Sequence, residues 1–142
     1  MSLDVKSVKK ALQDAGVEVY RSKPDEVHVA ERIRLHIMDS HVRVVLGEPM
    51  KVRFTARSQR SDFPNARPDE LLERVRHRVG GGAIERGYVE TSSQVQEIKD
   101  PVDETKTLDV WHEVVYEKPA GDLDEVIDEV RWALGLEKFV RD

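Results

Sequence analysis

Histidine is the side chain best suited to chemistry in this sequence, which has five histidines at scattered positions. No two of them have the HxxxH or HExxH spacing, so a metal site would need ligands brought together from distant segments. His112 differs from the rest because it interrupts an apolar strand face, between Trp111 and Glu113. A histidine of this kind is more often a hydrogen-bonded core residue than a catalytic base. His112 is therefore the first candidate for a site, with no partner identified for it.

The other motifs that carry chemistry are absent from the sequence. There is no GxSxG nucleophile motif and no GxxxxGK[ST] phosphate loop. Gly80–Gly82 follow a predicted helix, whereas a phosphate-binding loop needs its glycines before one. Because the chain has no cysteine, disulfides, thiol catalysis and zinc–thiolate sites are excluded. The sequence therefore predicts no catalytic residue, no metal and no cofactor.

Basic side chains follow the polar face of three adjacent predicted strands. They are Arg34, Arg43, Lys51, Arg53 and Arg57. Basic sheet faces bind nucleic acid when aromatic side chains supply stacking platforms. This face has none, and the chain carries a net charge of −5, so nucleic-acid binding is disfavoured. A solvated face or a contact with an acidic protein surface is the preferred interpretation, with Arg34, Arg43 and Arg53 as candidate contacts.

Trp111 is the candidate anchor of an interface. It shares its predicted strand face with Asp109, Glu113 and Val115, so it is an aromatic side chain on an otherwise mostly polar face. Tryptophan is enriched at binding hot spots, which favours a contact with another protein or with a second copy of this chain. The alternative is that a loop or a helix of the same chain covers Trp111.

Three strands form a predicted meander that positions the basic residues. Residues 50–57 alternate between apolar and polar, which is typical of a strand with one buried face, and Phe54 is expected in the core. Strands over 27–37 and 42–46 come before it, with predicted turns at Asp39–Ser40 and at 47–49. Five odd-numbered apolar residues are expected on one face of the first of these strands: Val27, Val29, Ile33, Leu35 and Ile37. Glu31 interrupts them and predicts a bulge near 30–32.

Helices and a hairpin complete the predicted architecture. Apolar residues at spacings of three and four predict helices over 4–15, 68–79 and 123–134, the second ended by the glycine run 80–82. Strands over 89–98 and 107–117 form a predicted hairpin. The order is helix, three strands, helix, two strands, helix. This order predicts an α+β fold, an antiparallel sheet with helices packed on one side, and a single domain over 1–142.

Composition sets further bounds. With 142 residues the chain can bury one continuous core, and 36% charged residues are typical of a soluble protein. No apolar stretch approaches the roughly 20 residues of a membrane helix, and 1–10 lacks a signal sequence, so a cytoplasmic location without membrane contact is expected. Residues 21–82 carry +4 and residues 83–142 carry −9, a split that could steer a partner or a second copy.

The order of elements resembles that of class I type III secretion chaperones and of the YbjN-type bacterial regulators that share their fold. The stripe Val5–Ala15, the meander 27–57, the helix 68–79, the hairpin 89–117 and the stripe Leu123–Leu134 carry the resemblance. It covers almost the whole chain as an order of elements and matches no motif. The resemblance implies a homodimer that binds another protein without catalysis.

The sequence therefore favours a non-catalytic, chaperone-like protein-interaction domain that forms a homodimer. One alternative is an enzyme or a small-ligand binder with a pocket between sheet and helices near His112. The other is nucleic-acid binding through the basic sheet face.

Overall fold

The computed structural model describes residues 4–141 of the chain. Its elements, in chain order, are α1 (Val5–Asp14), β1 (Val19–Lys23), β2 (Glu26–Ile33), β3 (His36–Val45), β4 (Met50–Gln59), a 3₁₀ turn (Arg60–Asp62), α2 (Pro68–Val75), a π-helical turn (Arg76–Gly80), α3 (Gly81–Arg86), β5 (Val89–Lys99), β6 (Thr107–Ala120), α4 (Leu123–Leu134) and β7 (Phe139–Val140). The strand order is β1-β2-β3-β4-β6-β5, and β7 pairs with β4 in parallel. The predicted α+β class, antiparallel sheet and order of elements are confirmed, with β1 and β7 as additional short strands.

The chain divides into two compact units. Unit 1 comprises 1–54 and 117–136, and unit 2 comprises 55–116 and 137–142. Strands β4 and β6 each pass from one unit into the other, because the chain positions that separate the units fall inside them. The single domain expected from the sequence stays a prediction.

The core of unit 1 lies between its strands and the helices α1 and α4. Both helices contact strands and also contact each other, so they lie on the same face. Phe54 is fully buried, as the alternation of β4 predicts, and its ring meets the edge of Trp132 at 6.0 Å between centroids. Asp122 caps α4 by accepting from the backbone of Glu125, whose carboxylate accepts in return from the backbone of Gly121.

The first hairpin turns at a different position from the one predicted. β2 and β3 are joined by the two residues Arg34–Leu35, with Ile33 opposite His36, and the predicted turn at Asp39–Ser40 is wrong. β3 instead has a bulge here, because Val29 pairs with Val42 and Ala30 pairs with Asp39, which leaves Ser40 and His41 as the extra residues. The register shift predicted near 30–32 therefore exists, but its extra residues belong to β3. The Asp39 carboxylate accepts a hydrogen bond from the backbone N–H of His41. Aspartate makes this local hydrogen bond in turns and in bulges, so the sequence signal is the same for both.

The second helix does not end at the glycine run. After α2 the chain continues through the π-helical turn and α3, and ends at Gly87, which has φ of 106°. A Cβ on Gly80 would lie 2.6 Å from the Tyr116 hydroxyl oxygen, whereas at Gly81 it would meet nothing within 4 Å. Gly80 is therefore required for close packing on β6. The predicted helix end at 80–82 is wrong because glycine here provides space rather than a stop.

Candidate interaction surface

Charged side chains on one face of unit 1 pair with one another. Arg53 donates to Glu117 at 2.6 Å and to Glu26 at 3.1 Å. Arg43 binds both carboxylate oxygens of Asp39, at 2.6 and 2.7 Å. The two arginines are directly opposite each other in β3 and β4. Like charges in such a pair repel, and the three carboxylates offset that repulsion.

The carboxylate of Asp39 is held in its ionised form. Burial raises the pKa of Asp39, but the hydrogen bonds from Arg43 and from the backbone of His41, together with the positive charge of Arg43, outweigh burial and lower it to about 2. Asp39 is therefore a stable counterion at neutral pH. Of the five basic residues predicted on this face, Arg43, Lys51 and Arg53 lie here, and Arg43 and Arg53 are paired within the unit rather than available to phosphates. Arg34 lies elsewhere, in the exposed β2–β3 turn, with φ of 58°.

Trp111 belongs to a cation–aromatic stack in unit 2. The guanidinium of Arg57 lies 3.7 Å from the centre of the indole ring and 4.9 Å from the centre of the Phe139 ring. Arg57 is buried and donates to Glu113 at 3.1 Å, so its charge is balanced where water is largely excluded. Arg57 therefore covers one face of the Trp111 ring from within unit 2, and Trp111 is half-buried. The role of Trp111 as an interface anchor stays a prediction.

His112 is adjacent to Trp111 in β6 but is nearly inaccessible. Its exposed fraction is 2%, and Nδ1 has no hydrogen-bond partner among residues 4–141. Burial, followed by the positive charge of Arg60, lowers the pKa of His112 from its ordinary value, which favours the neutral imidazole. A general base must reach the proton that it removes, and this side chain has almost no surface through which a substrate could approach.

Large apolar side chains are exposed around the turn of the β2–β3 hairpin. Leu35 is 89% exposed, Ile37 51%, and Ile33 and Met38 48% each. We call these four residues the hairpin patch. The sequence assigned Ile33, Leu35 and Ile37 to the same face as Val27 and Val29, which are fully buried. That assignment is wrong for Leu35 and Ile37, because the strand ends before the turn at Arg34–Leu35 and Ile37 pairs with Arg32 on the other face. Ile33 keeps the parity of Val27 and Val29 but lies at the exposed end of β2.

An open groove in unit 1 has a volume of about 360 Å³ and lies between the segment 15–18 that follows α1, the strand β2 and the end of α4. Three of its charged side chains, Glu18, Arg32 and Arg131, already have partners. Arg32 donates to Glu18 at 2.9 Å, and Arg131 donates to the carbonyl of Ala15 at 2.7 Å. A ligand would have to displace these contacts, so the groove is a weak candidate for a site.

The sequence predicted the strand β5, but sequence reasoning missed that almost all of it is exposed to solvent. It is the last strand in the order, and ten of its eleven residues are exposed, with Ile98 half-buried. A usable signal was present in residues 91–96, which lack the alternation of apolar and polar residues of a strand with one buried face. That pattern predicts a strand whose two faces are both exposed to solvent.

Comparisons of this chain with protein families, with curated proteins and with solved structures found no match. Within residues 4–141, no three His, Asp or Glu side chains are grouped so that they could hold a metal ion. No helix in that part of the chain is long and apolar enough to cross a membrane. The surfaces themselves are therefore the basis for a functional proposal.

Proposed function

We propose that this protein is a non-catalytic, chaperone-like interaction domain that binds another protein through the hairpin patch and forms a homodimer. The observation that carries the proposal is the exposure of four large apolar side chains around one turn. The pairing of β2 with β3 places Ile33 and Met38 on one face of the hairpin and Ile37 on the other, with Leu35 in the turn between them, so a partner would enclose the tip of the hairpin. Scattered single apolar residues are ordinary on a surface, whereas several grouped at one tip are typical of a docking site. The resemblance of the element order to that of type III secretion chaperones supports the same class of function.

The charge pattern supports a protein partner over nucleic acid. Nucleic-acid binding draws most of its affinity from basic side chains that neutralise phosphates. Here Arg43 and Arg53 are held by Asp39, Glu26 and Glu117. A phosphate would have to replace carboxylates that are already hydrogen-bonded. The enzyme alternative has less support, because His112 is buried.

The hairpin patch can be tested by photo-crosslinking in the native cell. A benzoylphenylalanine in place of Leu35 is expected to crosslink one recurrent protein. The matched control is the same substitution at Val102, which is 94% exposed in the β5–β6 loop. The captured protein is then purified, and its affinity is measured for the wild type, for Leu35→Ser and for Val102→Ser.

We expect Leu35→Ser to weaken that affinity about tenfold, the effect of losing about 1.4 kcal/mol of apolar contact, and Val102→Ser to leave it unchanged. Equal crosslinking at positions 35 and 102, or equal affinity of the two serine variants, would contradict the assignment of the hairpin patch as a docking site.

A further inference from the structure

The outer edge of β5 is a long row of backbone groups that no strand in residues 4–141 covers. Unpaired N–H and C=O groups along an edge favour the addition of another strand. β5 is eleven residues long, and Val89 and Val95 are 59% and 56% exposed. An edge of this length is an exception, because edge strands are normally short or protected.

The usual protections are missing from the middle of β5. Residues 91–96 contain no charged residue and no proline, the two devices that most often prevent edge-to-edge pairing. The charges lie towards the ends of the strand and have partners in the same chain. Glu90 binds Arg76 at 3.0 Å, and Lys99 binds Glu97 at 2.9 Å. By contrast, β1 has only five residues, two of them basic, and Pro24 follows it.

We propose that β5 is the self-association surface, and that two copies pair their β5 strands antiparallel about a twofold axis at Gln94. The inference rests on the homodimer part of the proposed function. In this register Gln94 lies opposite its own copy, Ser92 opposite Gln96, and Thr91 opposite Glu97. A twofold interface must be self-complementary, and this register meets that condition.

The pattern of charges along β5 is compatible with a second copy as the occupant, and its uncharged middle offers that copy an unprotected edge. Pairing about Gln94 places Glu90 opposite Ile98 and Lys99 opposite Val89, so no two like charges are directly opposite. The two Gln94 side chains, and Ser92 with Gln96, can hydrogen-bond across the strands, while Ser93 lies opposite Val95. The ten exposed residues of β5 would gain a neighbouring strand, so the sheet would continue through the dimer.

Single-cysteine variants test the register, because the chain has no native cysteine. Directly opposed residues have Cβ atoms about 5 Å apart, within reach of a disulfide after small adjustments. Gln94→Cys is therefore expected to form an intersubunit disulfide rapidly under mild oxidation. Ser92→Cys is a control at another exposed position, whose two copies would lie about 13 Å apart, four residues along the strand. Val102→Cys measures crosslinking by random collision.

Charge variants test whether the pairing holds the dimer together. Ser92→Lys combined with Gln96→Lys places lysines opposite lysines in both symmetric pairs, so the dissociation constant measured by analytical ultracentrifugation should rise about tenfold. Ser92→Glu combined with Gln96→Lys changes the same two exposed positions but opposes unlike charges, and it should leave dimerisation intact. Circular dichroism would show whether either variant has failed to fold. In that case the cysteine variants would still decide the register.

The outcomes separate this inference from the proposed function. A wild type that remains monomeric at micromolar concentration overturns the homodimer and the β5 pairing together. A dimer that resists the lysine pair, or crosslinks faster through Ser92→Cys than through Gln94→Cys, overturns the β5 pairing and leaves the homodimer in place. Neither result affects the test of the hairpin patch, which measures binding to another protein.

Discussion

Ser40 and Ser58 are both fully buried serines in strands, yet their hydroxyl groups differ in hydrogen bonding. The Ser40 hydroxyl donates to the carbonyl of Val29 at 2.5 Å and accepts from the backbone of Val42 at 3.1 Å. The Ser58 hydroxyl has no hydrogen-bond partner in residues 4–141. Ser40→Ala should therefore lower the free energy of unfolding by about 1–3 kcal/mol, because it leaves buried backbone groups unpaired.

Ser58→Ala is the matched comparison and should be neutral or stabilising. It removes a buried hydroxyl that makes no hydrogen bond and so contributes only its desolvation cost. Urea denaturation of the two variants measures both effects. Equal losses of stability would show that the Ser58 hydroxyl has a partner in solution.

The candidate site could be predicted only in part from single residues. Strand parity correctly separated the side of Phe54 from that of Arg53, because the period of two is a local property. The pairing of Arg53 with Glu26 and Glu117 could not be predicted, since those carboxylates are 27 and 64 positions away along the chain. The sequence therefore indicated a basic face where the fold has made a charge-balanced one.

At the scale of elements, the three consecutive glycines offer a sharp test. Gly80→Ala would place a methyl group against the Tyr116 hydroxyl, and Tyr116 is fully buried and cannot easily move. We expect a loss of about 1–3 kcal/mol in the free energy of unfolding, typical of overpacking. Gly81→Ala and Gly82→Ala meet nothing within 4 Å. Because both positions are helical, alanine should stabilise the protein by about 0.5–1 kcal/mol at each.

Chemical denaturation of the three alanine variants measures this pattern, and each serves as a control for the others. A uniform effect at all three positions would contradict the close approach of Gly80 to Tyr116. The direction of change is the informative quantity, because simple helix propensity predicts stabilisation at every position.

Elements whose signals are local were predicted well. The α4 cap at Asp122 and the end of α1 at Gly16, which has φ of 82°, follow from short-range rules. The errors occurred where one local signal has two meanings. Asp39–Ser40 suits a turn or a bulge, and Gly80 suits a helix end or a close contact with Tyr116. Only the pairing of β2 with β3 and the packing on β6 decide between them.

For the whole molecule, the basic segment 21–82 and the acidic segment 83–142 do not correspond to one basic unit and one acidic unit. Unit 1 has 12 basic and 14 acidic residues, and unit 2 has 11 and 14. The reason is topological. The acidic segment 117–136 returns to the unit that contains most of the basic segment 21–82, up to Phe54. Long-range steering by opposite charges on the two units is therefore a weak basis for dimerisation, which favours backbone pairing at β5.

The single domain expected from the sequence can be tested with the protein's two tryptophans, because one lies in each unit. Trp132 belongs to unit 1 and Trp111 to unit 2. Trp111→Phe leaves a fluorescence reporter for unit 1, and Trp132→Phe leaves one for unit 2. Since β4 and β6 contribute residues to both units, unfolding either unit would break strands that the other needs. We therefore expect the fluorescence transition in each variant to coincide with its own transition by far-ultraviolet circular dichroism, as in two-state unfolding.

Comparing two probes within one variant removes the effect of the substitution on stability. Fluorescence and circular dichroism midpoints that differ within a variant would instead identify two independently folding domains.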